Sequence, residues 1–233
     1  MRVAALFDVD GTLIAGNSAR LYMRHLRRTG QAGRRDVVRT LYLLLRYKFG
    51  LLDIESALGD SMRFILGRAE ADVRADAEAW YARDVRPHLY GQMADLVAAH
   101  QRAGHVAAIV TSATRYLAEP LARELGIDHF LVTQLVVRDA RFTGEVVRPL
   151  CYGAGKVDWA RTLAERQGLD LAQSYFYTDS ITDLPLLEAV GRPRIVCPDP
   201  PLRRLAQQRG WPILWPRLGD STTFPLAVVG AEG

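Results

Sequence analysis

Two aspartates close the first apolar stretch of the chain. Asp8 and Asp10 follow the run Val3–Phe7, which we predict to be a buried strand, and Gly11 permits a sharp turn directly after them. Because side chains alternate along a strand, the two carboxylates leave it on the same side. Like charges this close repel each other at a partly desolvated strand end. The pair therefore predicts either a bound cation or a role in proton transfer.

Taken alone, this Asp-x-Asp-Gly pattern leaves other interpretations open. Asp8 and Asp10 could simply mark a turn at the end of a strand. The pattern also resembles a calcium-binding loop, but position 19, where such a loop needs a closing glutamate, is Ala19. The choice depends on whether later strands end in matching chemistry.

A second pair of acids follows a later predicted strand. Asp179 and Asp183 lie four residues apart across a strand-to-helix turn. Together with Asp8 and Asp10 they make a carboxylate cluster without histidine or cysteine ligands, which suits a hard cation, and we predict Mg²⁺. The structural alternatives are a helix N-cap for Asp183 and an ordinary loop acid for Asp179.

Three further residues have the chemistry of a phosphate site. Thr111 and Ser112 end an apolar strand where we predict a helix to begin, so a hydroxyl and free backbone N–H groups could bind an anion there. Lys156 opens another predicted helix, where a cation opposes the helix dipole, so contact with a phosphate oxygen and a carboxylate explains it better. An N-cap for Thr111 or Ser112, and an exposed Lys156, are the structural alternatives.

The elements that must position these residues alternate between strand and helix from position 88 onward. Strands are predicted at 105–110, 131–137, 174–178 and 194–197, with a turn-containing arm at 141–147. This order is typical of an α/β fold with a Rossmann-like, doubly wound, mostly parallel sheet. Ligands bind such sheets outside the carboxyl ends of the strands, so Asp8, Thr111 and Asp179 are expected to meet in one crevice.

Residues 16–87 show helical periodicity without strand alternation. We therefore predict an α/β core of residues 1–15 and 88–233, and a helical cap of residues 16–87 inserted after the first strand. The tail after Gly210 is rich in Trp and Pro and has no predicted element.

Composition favours an ordinary globular protein. The 233 residues are 49% hydrophobic and 24% charged. We expect no signal peptide, and no apolar stretch is long enough to span a bilayer. Cys151 and Cys197 lack metal-site spacing, which favours a reduced, cytoplasmic protein.

The net charge of +4 is unevenly distributed, because arginines crowd the segment 20–48 and only Asp36 opposes them. Such a field attracts anions, although a solvated helix face accounts for most such charges.

In order along the chain, the motifs resemble those of the haloacid dehalogenase (HAD) phosphatase superfamily. The helical insert is similar to a C1-type cap, and residues 142–145, 151–153 and 179–187 resemble subfamily IB, the phosphoserine-phosphatase-like hydrolases. The four motifs are Asp8-Val9-Asp10-Gly11-Thr12, the strand that ends in Thr111, Lys156, and Asp179 with Asp183.

The resemblance implies a Mg²⁺-dependent phosphomonoesterase. Asp8 would attack phosphorus and Asp10 would act as general acid and base. Thr111, Ser112 and Lys156 would hold the phosphoryl oxygens. The metal set would comprise Asp8, the Asp10 carbonyl and Asp179, with Asp183 in support.

Two positions depart from the family pattern. Thr182 stands where the last motif usually has Asn, and Asn17 stands where phosphoserine phosphatases typically have the Glu that receives the substrate amine. Asn17 and Arg63 of the cap are candidate substrate contacts. Phosphoserine, histidinol phosphate and a phospholipid or sugar phosphate remain open as substrates.

Two other functions remain open from the sequence. A receiver-like phospho-acceptor also uses Asp, Thr or Ser, Lys and Mg²⁺, but it would have to keep its phosphate, and Asp10 argues against that. The basic helix Arg34–Lys48 could instead dock on an anionic membrane surface. As partner we expect a small phosphorylated metabolite and not nucleic acid.

Overall fold

The computed structural model describes residues 1–33, 35–36, 38–39, 42 and 64–224. The chain divides into two compact units. Unit 1 comprises Met1–Gly16, His88–Thr133 and Pro149–Gly233, and unit 2 comprises Asn17–Pro87 and Gln134–Arg148.

Unit 1 is built on a six-stranded parallel sheet, which confirms the predicted α/β fold. Its strand order is β3-β2-β1-β6-β7-β8. The strands are β1 (Ala4–Phe7), β2 (Val106–Thr114), β3 (His129–Thr133), β6 (Tyr175–Thr178), β7 (Arg192–Val196) and β8 (Ile213–Leu214).

Helices alternate with these strands along the chain. Their apolar side chains, among them Leu163, Leu186 and Leu202, form a core with those of the strands, including Leu6 and Phe176. The described helices of unit 1 are α3 (Gly91–Arg102), α4 (Arg115–Leu125), α5 (Ala154–Gln167), α6 (Leu184–Ala189) and α7 (Pro200–Arg209).

The sheet reverses its winding direction beside β1. Strands β2 and β3 lie on one side of β1, and β6, β7 and β8 lie on the other. The register pairs Phe7 with Ile109 on one side and with Tyr177 on the other. Residues that follow β1 and β6 therefore emerge side by side at the carboxyl edge, at the switch point where open α/β sheets bind ligands.

A buried aromatic cluster fixes β1 against β6. The rings of Phe7 and Tyr177 stack with centroids 4.6 Å apart, and His100 Nε2 lies 2.7 Å from the Tyr177 hydroxyl. Burial, followed by repulsion from His105, lowers the pKa of His100 to about 3, so this histidine is neutral. The cluster makes a rigid base for the two strands that carry Asp8 and Asp179.

Unit 2 contains helix α1 (Ser18–Arg28), helix α2 (Glu70–Trp80) and a π-helical turn at Tyr81–Val85. A 3₁₀ turn at Arg86–His88 spans the boundary between unit 2 and unit 1 along the chain. Unit 2 also contains an antiparallel hairpin of β4 (Leu135–Arg138) and β5 (Arg141–Val146). Residues 134–148 belong to the α/β core in our prediction from the sequence, whereas the structure groups them with unit 2. The role of residues 16–87 as a cap stays a prediction.

Three local predictions differ from the structure. The single strand expected at 131–137 is two strands, β3 and β4, which belong to different sheets. Strand β2 continues through an irregularity between Thr111 and Thr114, so α4 begins at Arg115 and not at Ser112. The unassigned tail supplies the edge strand β8.

Within the described ranges, no helix combines the length and the hydropathy that crossing a membrane would require. The basic helix predicted at Arg34–Lys48 lies mostly outside the described residues.

Candidate active site

Asp8 is held at the carboxyl edge of the sheet by its own backbone. Its N–H donates to the Tyr177 carbonyl at 2.9 Å, which extends the pairing of β1 with β6 by one residue. The chain then turns sharply, because the Val9 carbonyl accepts N–H groups from Leu13 and Ile14 at 3.0 Å each. The Asp8 residue is only 7% exposed, so its carboxylate is largely removed from bulk water.

Lys156 brings a positive charge to this carboxylate. It lies in the first turn of α5, and its Nζ is 3.2 Å from Asp8 Oδ1 and 2.7 Å from Asp183 Oδ2. Lys156 is 2% exposed. The alternative prediction, that Lys156 is an ordinary exposed lysine, is therefore wrong. Its amine is a buried cation shared by two carboxylates.

Asp183 faces Lys156 and the end of β6. Its Oδ2 accepts a hydrogen bond from the Thr178 hydroxyl at 2.6 Å in addition to the Lys156 amine, and the residue is 1% exposed. No side-chain capping bond from Asp183 to α6 accompanies this arrangement. The contacts suit a residue that orients Lys156, and the supporting position of Asp183 in a metal set stays a prediction.

Asp179 approaches the loop that follows β1. Gly11 has φ +67°, and a Cβ at this position would collide with the Asp179 carboxylate. Glycine suits this position for two reasons. Other residues adopt this backbone conformation only with strain, and a side chain here would take the space that Asp179 occupies. This close approach brings the second acidic motif to the first.

Two carboxylates of this cluster, those of Asp8 and Asp179, resist ionisation. Burial raises the pKa of Asp8 to about 7 from its ordinary value of 3.8, and Lys156 opposes the increase. Burial, and then repulsion from Asp8 and Asp183, raises the pKa of Asp179 well above its ordinary value. Burial lowers the pKa of Lys156, but attraction from Asp183 and Asp8 outweighs burial, so the pKa is raised and the amine stays protonated.

The donor chemistry fits Mg²⁺. Among the described residues, no three histidine, cysteine, aspartate or glutamate side chains are arranged to hold a metal together. Mg²⁺ does not need such a cage, because it typically binds one or two carboxylates and completes its shell with waters and substrate phosphate. Asp8 and Asp179 repel each other, and the pKa of each is raised, so a bound cation would relieve the repulsion. These two carboxylates are therefore the ones that could hold Mg²⁺.

Thr111 and Ser112 were both expected at the end of a strand and the start of a helix, but β2 continues past them to Thr114. Thr111 is buried beside Val132 of β3, and its hydroxyl accepts the Ala113 N–H at 3.2 Å, which leaves the hydroxyl proton for another acceptor. Ser112 lies within the irregular end of β2 and does not begin a helix. The predicted helix-start anion site is therefore wrong in its geometry.

Three other residues were singled out from the sequence, and the structure describes two of them, Asn17 and Thr182. The Asn17 side chain accepts the Arg20 N–H at 3.2 Å and caps α1. Arg63 lies outside the described residues. The Thr182 hydroxyl lies 3.0 Å from the Ser180 hydroxyl, so this residue participates in local bonding of the Asp179–Asp183 segment.

Two contributing residues escaped the sequence reasoning. Thr178 bonds Asp183, and its only signal was its place directly before Asp179. Asp199 bonds the Ile181 N–H at 2.8 Å. Its signal was an acid between two prolines at the end of a predicted strand.

Comparison with known proteins decides the family. The model of the haloacid dehalogenase-like hydrolases matches residues 5–188. The chain belongs to the haloacid dehalogenase-like hydrolase family. Its fold is accordingly that of a HAD hydrolase.

Several relatives of this HAD hydrolase are named as phosphatases. "Probable phosphatase Rv3661" of Mycobacterium tuberculosis (strain ATCC 25618 / H37Rv) is 38% identical over 91% of this chain and 75% of the relative. "Phosphoserine phosphatase SerB1" of the same strain is 35% identical, covering 91% and 70%. "Histidinol-phosphatase" of Neisseria meningitidis serogroup C (strain 8013) is 29% identical, covering 92% and 99%.

A solved structure with high similarity is that of a protein with unknown function from Bordetella pertussis Tohama I. It is 36% identical, with a TM-score of 0.84, and the match covers 92% of this chain and 98% of that one. The HAD hydrolase described here therefore shares both sequence and fold with an experimentally determined structure.

Proposed function

We propose that this HAD hydrolase is a Mg²⁺-dependent phosphomonoesterase that hydrolyses a small organic phosphate through an aspartyl-phosphate on Asp8. The family is one of hydrolases, and three of the relatives are named as phosphatases. The observation that carries the proposal is the buried Lys156 amine between Asp8 and Asp183, 3.2 Å and 2.7 Å away, at the switch point of the sheet.

Asp8 is the nucleophile of the proposed reaction. Its carboxylate attacks phosphorus and displaces the alcohol, so a phosphorus–oxygen bond forms to Asp8 as the one to the leaving group breaks. Lys156 keeps Asp8 in place and has one remaining N–H group that can donate to a phosphoryl oxygen. The Thr111 hydroxyl supplies a second donor, and the Ser112 amide, within the irregular end of β2 and not at a helix start, is proposed as a third.

Asp10 moves the protons in both halves of the reaction. As an acid it gives a proton to the leaving alcohol, and as a base it then takes one from the water that attacks the aspartyl-phosphate. Asp10 is more accessible than Asp8, as a residue that exchanges protons with substrate and water requires.

Asp8 and Asp179, with the backbone carbonyl of Asp10, would hold Mg²⁺. The ion supplies positive charge that favours the ionised form of Asp8 and offsets negative charge on the phosphoryl group. Asp183 supports this arrangement through Lys156.

The proposed substrate class rests on the names of the relatives and on one residue, Asn17, that differs from the phosphoserine phosphatase pattern. Phosphoserine and histidinol phosphate are the candidates suggested by the named relatives. Asn17, at the position where phosphoserine phosphatases typically have a glutamate, offers no charge to a substrate amine, and its amide oxygen caps α1. We therefore rank phosphoserine below other small monoesters. A cytoplasmic location stays a prediction from the sequence.

The test is phosphate release from phosphoserine, histidinol phosphate and 4-nitrophenyl phosphate, with Mg²⁺ and with chelator. We expect wild-type protein to release phosphate only with Mg²⁺, and Asp8→Asn to release none while retaining its thermal transition. Release that persists in Asp8→Asn, or no release by wild type from any ester, would contradict the proposal.

A further inference from the structure

Asp199 joins three elements at the carboxyl edge of the sheet. It follows β7 and is the N-cap of α7, where its Oδ1 accepts the Leu202 N–H at 2.8 Å. Its Oδ2 accepts the Ile181 N–H at 2.8 Å, and its own N–H donates to the Asp179 carbonyl at 2.8 Å. One residue thus bonds its own helix and both sides of Ser180.

These bonds hold the segment that carries the second acidic motif. The other N–H groups of the turn make longer bonds to side chains nearby: Ser180 N–H to the Thr178 hydroxyl and Thr182 N–H to the Ser180 hydroxyl, each 3.3 Å. Asp199 therefore ties this turn to the end of β7 through two short bonds, of which the one from the Ile181 N–H to its carboxylate is charge-assisted.

The chain reaches this position through an unusual turn. Cys197, the first residue after β7, has φ +41°, in the left-handed region that favours glycine. Pro198 and Pro200 flank Asp199 and restrict the backbone on both sides of it. A strained residue persists only where its surroundings determine it, so the chain path into Asp199 is held by its surroundings.

Restraint is needed because the carboxylates that would hold Mg²⁺ repel one another. Asp179 is close to the like charges of Asp8 and Asp183. Without a restraint, the turn could relax by moving Asp179 away, and cation binding would have to reverse that movement. A preorganised turn avoids this cost.

We propose that Asp199 is a positioning residue that holds the Asp179–Asp183 turn in the arrangement that binds Mg²⁺. The inference rests on the proposed function, because it assumes that Asp179 is a metal ligand. It adds that a residue which touches neither metal nor substrate sets the Mg²⁺ affinity.

Asp199→Ser separates the two roles of the side chain. Serine caps helices about as well as aspartate, so α7 keeps its N-cap bond, but its single hydroxyl cannot also accept the Ile181 N–H. The matched control is Asp170→Ser. Asp170 also caps a short helical turn, accepting the Ala172 N–H at 2.9 Å, but it precedes β6 at the opposite edge of the sheet.

The readout is the thermal transition of metal-stripped protein as a function of Mg²⁺ concentration, which reports binding without turnover. A hydrogen bond to a charged acceptor is worth about 1.5–3 kcal/mol, about a 10- to 100-fold effect in affinity if it is lost entirely. We expect the half-saturating Mg²⁺ concentration to rise at least about fivefold in Asp199→Ser. It should be unchanged in Asp170→Ser. With saturating Mg²⁺, Asp199→Ser should recover most of its release of 4-nitrophenolate from 4-nitrophenyl phosphate.

Each outcome bears on the inference. An unchanged Mg²⁺ dependence in Asp199→Ser would overturn it and leave the proposed function intact, provided wild type releases phosphate. An equal change in Asp170→Ser would overturn it as well, because exchange of any aspartate cap for serine would then explain the effect. If wild type shows neither a Mg²⁺-dependent transition nor phosphate release, the proposed function fails and the inference fails with it.

Discussion

Replacing Lys156 with methionine removes the one buried cation of the carboxylate cluster that the structure describes, at nearly constant length. Its Nζ lies 2.7 Å from Asp183 and 3.2 Å from Asp8, and the lysine and Asp183 are 2% and 1% exposed. Water cannot replace the lost charge at such depth. Lys156→Met should therefore destabilise the protein as well as inactivate it.

The magnitude follows from the burial of the pair. Removing one partner of a buried ion pair costs about 3–5 kcal/mol, because the remaining charge is left uncompensated. A matched control is Arg209→Met, which breaks the Arg209–Glu188 pair at 2.7 Å, where the two side chains are 40% and 47% exposed. An exposed pair of this kind contributes about 0–1 kcal/mol.

The loss of stability should also depend on pH with a defined sign. The pKa of Asp8 is already raised to about 7 in the folded protein, above its ordinary value of 3.8, and removing Lys156 raises it further. A group with a raised folded-state pKa destabilises the fold most above that pKa, and protonation relieves the effect as pH falls. The deficit of Lys156→Met should thus be largest near about pH 8 and smaller near about pH 5.

Urea unfolding of the chelator-treated full chain, followed by tryptophan fluorescence, measures this difference. Three of the four tryptophans (Trp159, Trp211 and Trp215) lie in unit 1, the unit that contains Lys156. A deficit within about 1 kcal/mol of that of Arg209→Met near pH 8 would refute the reasoning. So would a deficit that does not decrease on acidification.

Two other predictions concern the same edge of the sheet. Gly11→Ala should abolish the Mg²⁺-dependent thermal shift, because its Cβ collides with Asp179. Gly168→Ala, at φ +63° with nothing within 4 Å of the added Cβ, has similar backbone strain and should retain the shift. As pH falls from about 8 to about 5, Asp8 should contribute a gain in stability to metal-free wild-type protein, because folded Asp8 takes up a proton near pH 7 that the unfolded chain binds only near 3.8. Buried His100, whose pKa is lowered to about 3, contributes a loss over the same range in wild type and variant alike, so the comparison with Asp8→Asn isolates the Asp8 part. In thermal scans, Asp8→Asn should lack this part of the pH dependence, and an unchanged profile would contradict the assignment.

The sequence predicted those parts of the molecule that depend on local pattern. The apolar run before Asp8 and the short strand before Asp179 are neighbouring strands of one parallel sheet, as the alternation of strands and helices predicted. Asp8 and Asp179 therefore follow adjacent strand ends. The position of Lys156 near a helix start, against the dipole, correctly indicated a carboxylate partner. Periodicity and charge are properties of short segments, so they can be recognised in the sequence without knowledge of the fold.

Other features depend on which segments pair. The apolar run 131–137 looks continuous, but its two halves pair with β2 and with β5, and only tertiary context separates them. The irregular end of β2 that displaces the start of α4 from Ser112 to Arg115 likewise arises from pairing with β3. Asp199 has no local signal beyond an acid in a turn, because its partner Ile181 is 18 residues away.

The aspartyl-phosphate itself is the most direct test of the account. In Asp10→Asn the nucleophile Asp8 remains, and 4-nitrophenolate leaves without needing a proton, so the first half of the reaction can proceed. Hydrolysis of the intermediate lacks its base, so phosphate should accumulate on Asp8. With Mg²⁺ present, we predict a burst of about one 4-nitrophenolate per enzyme molecule. Reductive trapping with borohydride should then mark the peptide that contains Asp8. A wild-type enzyme that hydrolyses the ester, paired with an Asp10→Asn variant that gives neither burst nor trapped peptide, would contradict the proposed mechanism.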